Sequence, residues 1–261
     1  MNYYRKSSYK SRYYATRRET DGKLVTSEVP FAVKEAFSLL RTNLLYSPVE
    51  TEGAAVYAVT SDLEASGKSL VLANLAVSFA QTGKRTLLID ADMRCSVQYL
   101  YFGYERNRAG LSEYLSGQVT EKDDYIIPSG CENLDVIAGG KTPPNPSELL
   151  LGRRFSELLE SAKKEYDYIF VDFPPVGVVS DAVSVAGSVT GYLVVVRSGK
   201  SKEQSFRSAV DALEAVGATV TGLILNDVDR KRVGGVNYYY SYLRLARKRQ
   251  QKAKKAEESE T

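Results

Sequence analysis

Three short runs of apolar, largely β-branched residues each end in side chains suited to a polyphosphate and its counter-cation. The run 55–60 leads through Ser61-Asp62-Leu63-Glu64-Ala65 into Ser66-Gly67-Lys68-Ser69-Leu70 and an apolar stretch. Backbone N–H groups at such a helix start bind phosphate oxygens. A lysine there bridges β and γ phosphates, and the next hydroxyl ligates Mg²⁺. Ser66, Gly67, Lys68, Ser69 and Leu70 are therefore the candidate nucleotide contacts. The run 86–89 ends in Asp90-Ala91-Asp92-Met93-Arg94. Asp90 is placed to hold Mg²⁺ through water, either Asp90 or Asp92 to orient or deprotonate an incoming hydroxyl, and Arg94 to join the nucleotide contacts. The run 168–171 delivers Asp172, followed by Phe173-Pro174-Pro175. Asp172 completes a metal shell with Ser69 and Asp90, and the prolines stiffen the turn. Lys68, Asp90, Asp92 and Asp172 are the catalytic candidates; read structurally, the Asp90–Asp92 pair would cap a helix.

The loop departs from the pattern G-x-x-x-x-G-K-[ST], because Asp62 stands where the first glycine would. Ala65 occupies another position where glycine is common. If that position needs a positive φ, alanine there costs about 1 kcal/mol or more.

What is missing narrows the chemistry further. The chain has no histidine, so Ser-His-Asp and Cys-His schemes are excluded and carboxylates become the default base. Cys95 and Cys131 are too few for a disulfide framework and, without histidine, for a common zinc site.

The elements that must carry these residues follow from periodicity. Strands are expected at 55–60, 86–89, 134–137, 168–171, 192–196 and 220–225, apolar enough to be buried on both faces. Helices are expected at 33–45, 68–82, near 111–115, and at 146–164, 181–186 and 201–216. Asn145 before Pro146 reads as an N-cap, and Gly83 and Gly217 as helix stops. This alternation predicts an α/β fold, a doubly wound, mainly parallel sheet with helices on both faces and the ligand at the carboxyl ends of its strands.

Charge divides the 261 residues into three regions. Residues 1–23 hold seven basic and two acidic side chains, net +5; residues 230–261 hold ten and three, net +7; the body between them is −9. We expect a basic, Tyr-rich flexible arm at 1–26, a P-loop domain at 27–229 and a flexible tail at 230–261. Basic termini favour anionic lipid, then acidic partner segments, then nucleic acid. No run reaches the roughly 18 to 20 apolar residues of a membrane span, nor is there a signal-peptide core, which suggests the cytoplasm.

Asp90-Ala91-Asp92-Met93-Arg94 behind a phosphate loop, with Asp172-Phe173-Pro174-Pro175, resembles the soluble cytoplasmic type of bacterial tyrosine kinase of capsular and exopolysaccharide synthesis. That family shares the P-loop NTPase superfamily with partition and division ATPases. Pro143-Pro144-Asn145-Pro146-Ser147-Glu148-Leu149-Leu150 and Gly110-Leu111-Ser112 extend the likeness, which runs from about Val29 to Tyr242. The stretch from Lys34 to Leu44 is similar to the family's oligomerisation helix, E-x-x-R-x-x-R before T-N. Glu35 and Arg41 match it, and Ser38 replaces the middle arginine. The resemblance implies ATP and Mg²⁺ as cofactors, adenine contact by Asn226, and autophosphorylation of Tyr238, Tyr239, Tyr240 and Tyr242 behind a Gly234-Gly235 hinge. It also implies self-association, in the family a ring, a separate transmembrane adaptor, a cognate phosphotyrosine phosphatase, a peripheral position at the inner membrane face, and no nucleic acid.

Two other readings use the same residues. A positioning ATPase would carry a signature lysine where this chain has Leu63. A non-catalytic adaptor in polysaccharide export would bind nucleotide poorly through its altered loop.

Overall fold

The structure, a computed structural model, describes residues 24–25, 29–47 and 53–228. Most of the basic arm and the tail with Tyr238, Tyr239, Tyr240 and Tyr242 lie outside the described residues. Leu24 and Val25, expected in the arm, instead belong to the fold: Val25 is buried and its carbonyl accepts from Gln81 Nε2 at 2.8 Å.

Seven strands form one sheet: β1 (Ala55–Ser61), β2 (Thr86–Asp90), β3 (Ile126–Pro128), β4 (Leu134–Ile137), β5 (Tyr168–Asp172), β6 (Gly191–Arg197) and β7 (Val220–Asn226). Their order is β3-β4-β2-β5-β1-β6-β7, and all pairings are parallel except that of β3 with β4. The parallel strands are the β-branched runs read from sequence, most extended by one residue. β3 was not expected. Its three residues include a proline, which is tolerated only at a sheet edge, where β3 lies.

The helices are α1 (Phe31–Leu45), α2 (Lys68–Ala80), α3 (Tyr99–Phe102), α4 (Leu111–Leu115), α5 (Lys122–Tyr125), α6 (Pro146–Leu151), α7 (Arg153–Ala162), α8 (Asp181–Ser184) and α9 (Glu203–Glu214). Alternate strand residues feed two cores. Val56, Ala58, Leu87, Ile89, Ile169 and Val171 meet Phe155, Leu158 and Leu159 of α7 on one face. Tyr57, Val59, Leu88, Phe170, Leu193 and Val195 meet α2 on the other.

All of α2 except Leu70 is buried, because α1 covers the side that the sheet does not. Such a helix is apolar all round rather than on one stripe. The expected helix 146–164 is two helices, because Gly152 is extended (φ −66°, ψ 152°) and separates α6 from α7. Glycine is among the weakest residues at holding a continuous helix. The expected 181–186 helix ends at Ser184, and a 3₁₀ turn follows at Ala186–Ser188. Asn145 does precede a first-turn proline, yet its side chain donates to Glu148 Oε2 at 2.6 Å instead of capping the backbone.

For the site, the decisive feature is register. β5 lies between β1 and β2, Asp172 pairs with Val59 on one side and with Asp90 on the other, and the loop after β1 opens at the same level. Among the described residues, no helix is long and apolar enough to cross a membrane.

Candidate active site

The loop after β1 is shaped by backbone conformation. Ala65 has φ 59° and Gly67 φ 85°, both left-handed, so the condition attached to Ala65 in the sequence is met. Gly67 is required twice over, since a Cβ there would also strike the side-chain amide of Asn226. Inside the loop, Ser61 Oγ and Ser66 Oγ each donate to the carbonyl of Leu63 at 2.8 Å.

Side chains from the last two strands and the turn between them hold the loop. Asn226 Nδ2 donates to the carbonyl of Ser66 at 2.9 Å and Arg197 Nη1 to that of Ala65 at 3.0 Å. Ser201 Oγ donates to Asp62 Oδ1 at 2.9 Å. Asp62, standing in the place of the usual glycine, thus ties the loop to the turn after β6.

At the head of α2, Lys68 Nζ lies 2.8 Å from Asp92 Oδ2, 3.2 Å from Asp172 Oδ1 and 3.2 Å from Ser69 Oγ. All of these residues are buried. Burial, the strongest single influence, draws the ammonium toward losing its proton. The carboxylates of Asp172, Asp92 and Asp90 together outweigh it and hold the Lys68 pKa above the usual lysine value.

Asp90 is wholly enclosed. Its Oδ2 accepts from Ser96 Oγ at 2.6 Å and from the Gln98 backbone at 3.4 Å, while Oδ1 has no hydrogen-bond partner. Burial, then the neighbouring Asp172 charge, push its pKa up to about 8 against the opposing pull of Ser96. Asp172 is also raised, by burial first, although Lys68 lowers it. Asp92 Oδ1 accepts from the Cys95 backbone at 3.0 Å. The Tyr104 phenol also senses this acid pair. Its hydroxyl is buried without a partner, and burial followed by the charges of Asp90 and Asp172 raises its pKa.

Arg94 turns to other partners: its guanidinium holds Asp181 through Nε–Oδ2 (3.0 Å) and Nη2–Oδ1 (3.2 Å), and Ser147 Oγ at 2.9 Å. The arginine read as a nucleotide contact here links the loop after β2 to α6 and α8. Glu35 and Arg41 lie on α1, away from this cluster; Arg41 donates to the carbonyl and hydroxyl of Ser78 on α2 and to Ser38 Oγ.

The residues fit a magnesium nucleotide. The Lys68 ammonium marks a cation position between the Ser69 hydroxyl and Asp172, and Asp90 offers a buried oxygen without a donor. Among the described residues no group of three or more His, Cys, Asp or Glu side chains forms a metal site of its own. Mg²⁺ keeps several waters and takes one or two carboxylates besides substrate phosphates, a set that Ser69, Asp172 and Asp90 could supply.

Sequence reasoning missed Gln98, Asp181, Arg197 and Ser201. None of the four residue types carries a pattern of its own; Arg197 closes β6 and Ser201 follows it closely, whereas Gln98 and Asp181 lie eight and nine residues past β2 and β5, too far for a strand end to have marked them.

A parallel sheet with a lysine-bearing loop at the start of α2 and acids at the neighbouring strand ends defines a P-loop nucleotide-binding protein. The family model described as AAA domain matches residues 56–199. The tyrosine-protein kinase CpsD of Streptococcus agalactiae is 38% identical over 216 residues, covering 83% of this chain and 92% of its own. The putative tyrosine-protein kinase CapB of Staphylococcus aureus is 34% identical, covering 87% and 98%. The kinase domain of Escherichia coli tyrosine kinase ETK superposes with a TM-score of 0.73 at 37% identity, covering 80% of this chain and 84% of that one. The chain belongs to the bacterial tyrosine-protein kinase family.

Proposed function

We propose that this protein transfers the γ-phosphoryl group of ATP to tyrosine hydroxyls without strict sequence specificity, chiefly Tyr238, Tyr239, Tyr240 and Tyr242 of neighbouring copies. The observation that carries the reading is the Lys68 ammonium set between Asp92 and Asp172 beside Ser69 at the mouth of the phosphate loop. Three elements supply those groups, and no packing requirement brings a buried lysine and several buried acids together.

In this reading, Lys68 leaves Asp92 and Asp172 for the β and γ phosphates, while the backbone N–H groups of residues 66–70 receive the phosphate oxygens. Ser69, Asp172 and Asp90 would hold Mg²⁺, which would supply neutralisation of charge on the phosphates. Losing Lys68 frees Asp92 to accept a hydrogen bond from the incoming phenol. A phenol of unperturbed pKa near 10 arrives neutral, so a carboxylate in that place has a proton to align and accept. Asp90, more deeply enclosed, serves the cation rather than the phenol. Asn226, already on the loop, lies where the adenine enters.

Arg94 contributes through Asp181 and Ser147, by fixing the loop that carries Asp92. Glu35 and Arg41 place α1 at a contact between copies, giving a ring. A transmembrane adaptor brings the protein to the inner face of the membrane to regulate capsular or exopolysaccharide synthesis and export, and a phosphotyrosine phosphatase reverses the modification.

Incubating the protein with ATP, Mg²⁺ and the adaptor's cytoplasmic segment, then probing for phosphotyrosine, tests the reading. Labelling should appear and should vanish in Lys68→Met at unchanged secondary structure. Labelling retained by Lys68→Met, or absent from the unaltered protein while a conventional relative is labelled, would refute it.

A further inference from the structure

Gln98 is fully buried, in the segment that follows Asp92, and its side-chain amide uses both hydrogens at the site. Nε2 donates to the carbonyl of Ser69 at 3.1 Å and to Asp172 Oδ2 at 2.8 Å. Its backbone N–H faces Asp90 Oδ2 at 3.4 Å. One residue therefore touches all three candidates for the magnesium shell.

The amide orientation is fixed by its neighbours. Turned by half a rotation, its carbonyl would face another carbonyl and a carboxylate, two acceptors without a proton to share. In the observed orientation Gln98 Oε1 is left buried without a donor. An unpaired buried acceptor is costly, on the order of 1 to 3 kcal/mol, so the two donated bonds are held at the expense of the third group. Packing alone gives no reason for such an arrangement, because a methionine or leucine would fill the space without the unpaired oxygen.

We propose that Gln98 is a positioning residue for the magnesium nucleotide: its amide braces Asp172 against the first turn of α2 and sets the separation of the Asp172 carboxylate from the Ser69 hydroxyl. The assignment rests on the reading of this site as a nucleotide site. By bonding Asp172 Oδ2, Gln98 leaves Oδ1 as the oxygen that faces Lys68. When Lys68 moves to phosphate, Asp172 keeps its orientation, because the brace does not depend on the lysine. Residues that orient the ligands of a cation typically change its affinity by roughly 10- to 100-fold when removed.

The test measures binding of fluorescent N-methylanthraniloyl-ADP to the full chain, first in EDTA and then across a Mg²⁺ titration. Gln98→Met keeps the length of the side chain and removes both donors; Gln98→Asn keeps the amide one methylene short. Both should need at least about tenfold more Mg²⁺ for half-maximal tightening, with affinity in EDTA within about twofold of the unaltered protein. A residue needed only for folding would shift both affinities together or neither. A Mg²⁺ midpoint within about twofold of the unaltered protein in either variant overturns the assignment. A second measurement needs no variant: the Gln98 side-chain NH₂ resonances of the ADP-bound protein should move when Mg²⁺ is added, and unmoved resonances overturn it. Absence of any ADP binding by the unaltered protein overturns this assignment together with the nucleotide reading, whereas binding with an unaltered Mg²⁺ midpoint in the variants overturns the Gln98 assignment alone.

Discussion

Asp90 shows how a single side chain stores the chemistry of the site. Its folded pKa of about 8 lies above the ordinary carboxylate value, for reasons of burial first and Asp172 second. Between about pH 4 and pH 8 the unfolded chain has released this proton and the folded chain has kept it, so stability falls as pH rises through that window. We expect the melting temperature of the nucleotide-free protein to decline across it, and Asp90→Asn to flatten the decline; an equal slope in the variant would show that other groups set it. Ala65 stores a different cost. At φ 59° its Cβ is disfavoured, and Ala65→Gly should raise stability by about 1 kcal/mol, read by denaturant midpoint. A net loss would mean that the entropy glycine gains in the unfolded chain outweighs the strain removed. Tyr104→Phe, which deletes a buried hydroxyl without a partner, should likewise be neutral or stabilising in the same measurement. Lys68, Asp90, Asp92 and Asp172 were legible because each follows a β-branched run. Gln98 was not, since nothing in its type distinguishes a brace from a surface amide.

At the scale of elements, legibility followed burial. The parallel strands announced themselves because both faces are covered, which leaves continuous apolar runs such as Tyr192 to Val196 that a short loop does not contain. The three-residue β3, with its proline, had no such run. Gly152 divides α6 from α7 within a stretch whose apolar spacing continues across the break, so periodicity alone ran through it. The likeness of α1 to an oligomerisation helix was readable, but its internal attachment was not. Arg41 binds Ser78 on α2, the helix whose first turn carries Lys68 and Ser69. Arg41→Ala should loosen α1 before it affects the sheet. A charge-assisted hydrogen bond contributes roughly 1.5 to 3 kcal/mol, so amide exchange in residues 31–45 should quicken by about tenfold or more while β1, β2 and β5 stay protected. Uniform quickening throughout the chain would show that α1 and the sheet open as one unit.

For the whole molecule, the sequence sets a basic tail against an acidic body. Residues 230–261 carry a net +7 against a body of −9. Each phosphate added to Tyr238, Tyr239, Tyr240 or Tyr242 brings about −1.5 to −2 charges, so phosphates on all four would offset the +7 of residues 230–261 and weaken any attraction for an acidic neighbour. Phosphorylated protein should therefore show a smaller particle size by light scattering, and an unchanged size would rule out a phosphorylation-driven assembly cycle.

The pairing of Asp90 with Asp172 across adjacent parallel strands has one more effect. Strands in a sheet lie roughly 4.8 Å apart, and the ladder does not stretch to separate two acids that would repel if both were ionised, so Asp90 keeps its proton up to about pH 8. A lone lysine answers them in the resting protein, and a metal-bound nucleotide would answer them better. A cation beside the pair favours the ionised form of Asp90, so loading the site below about pH 8 should release a proton to solvent.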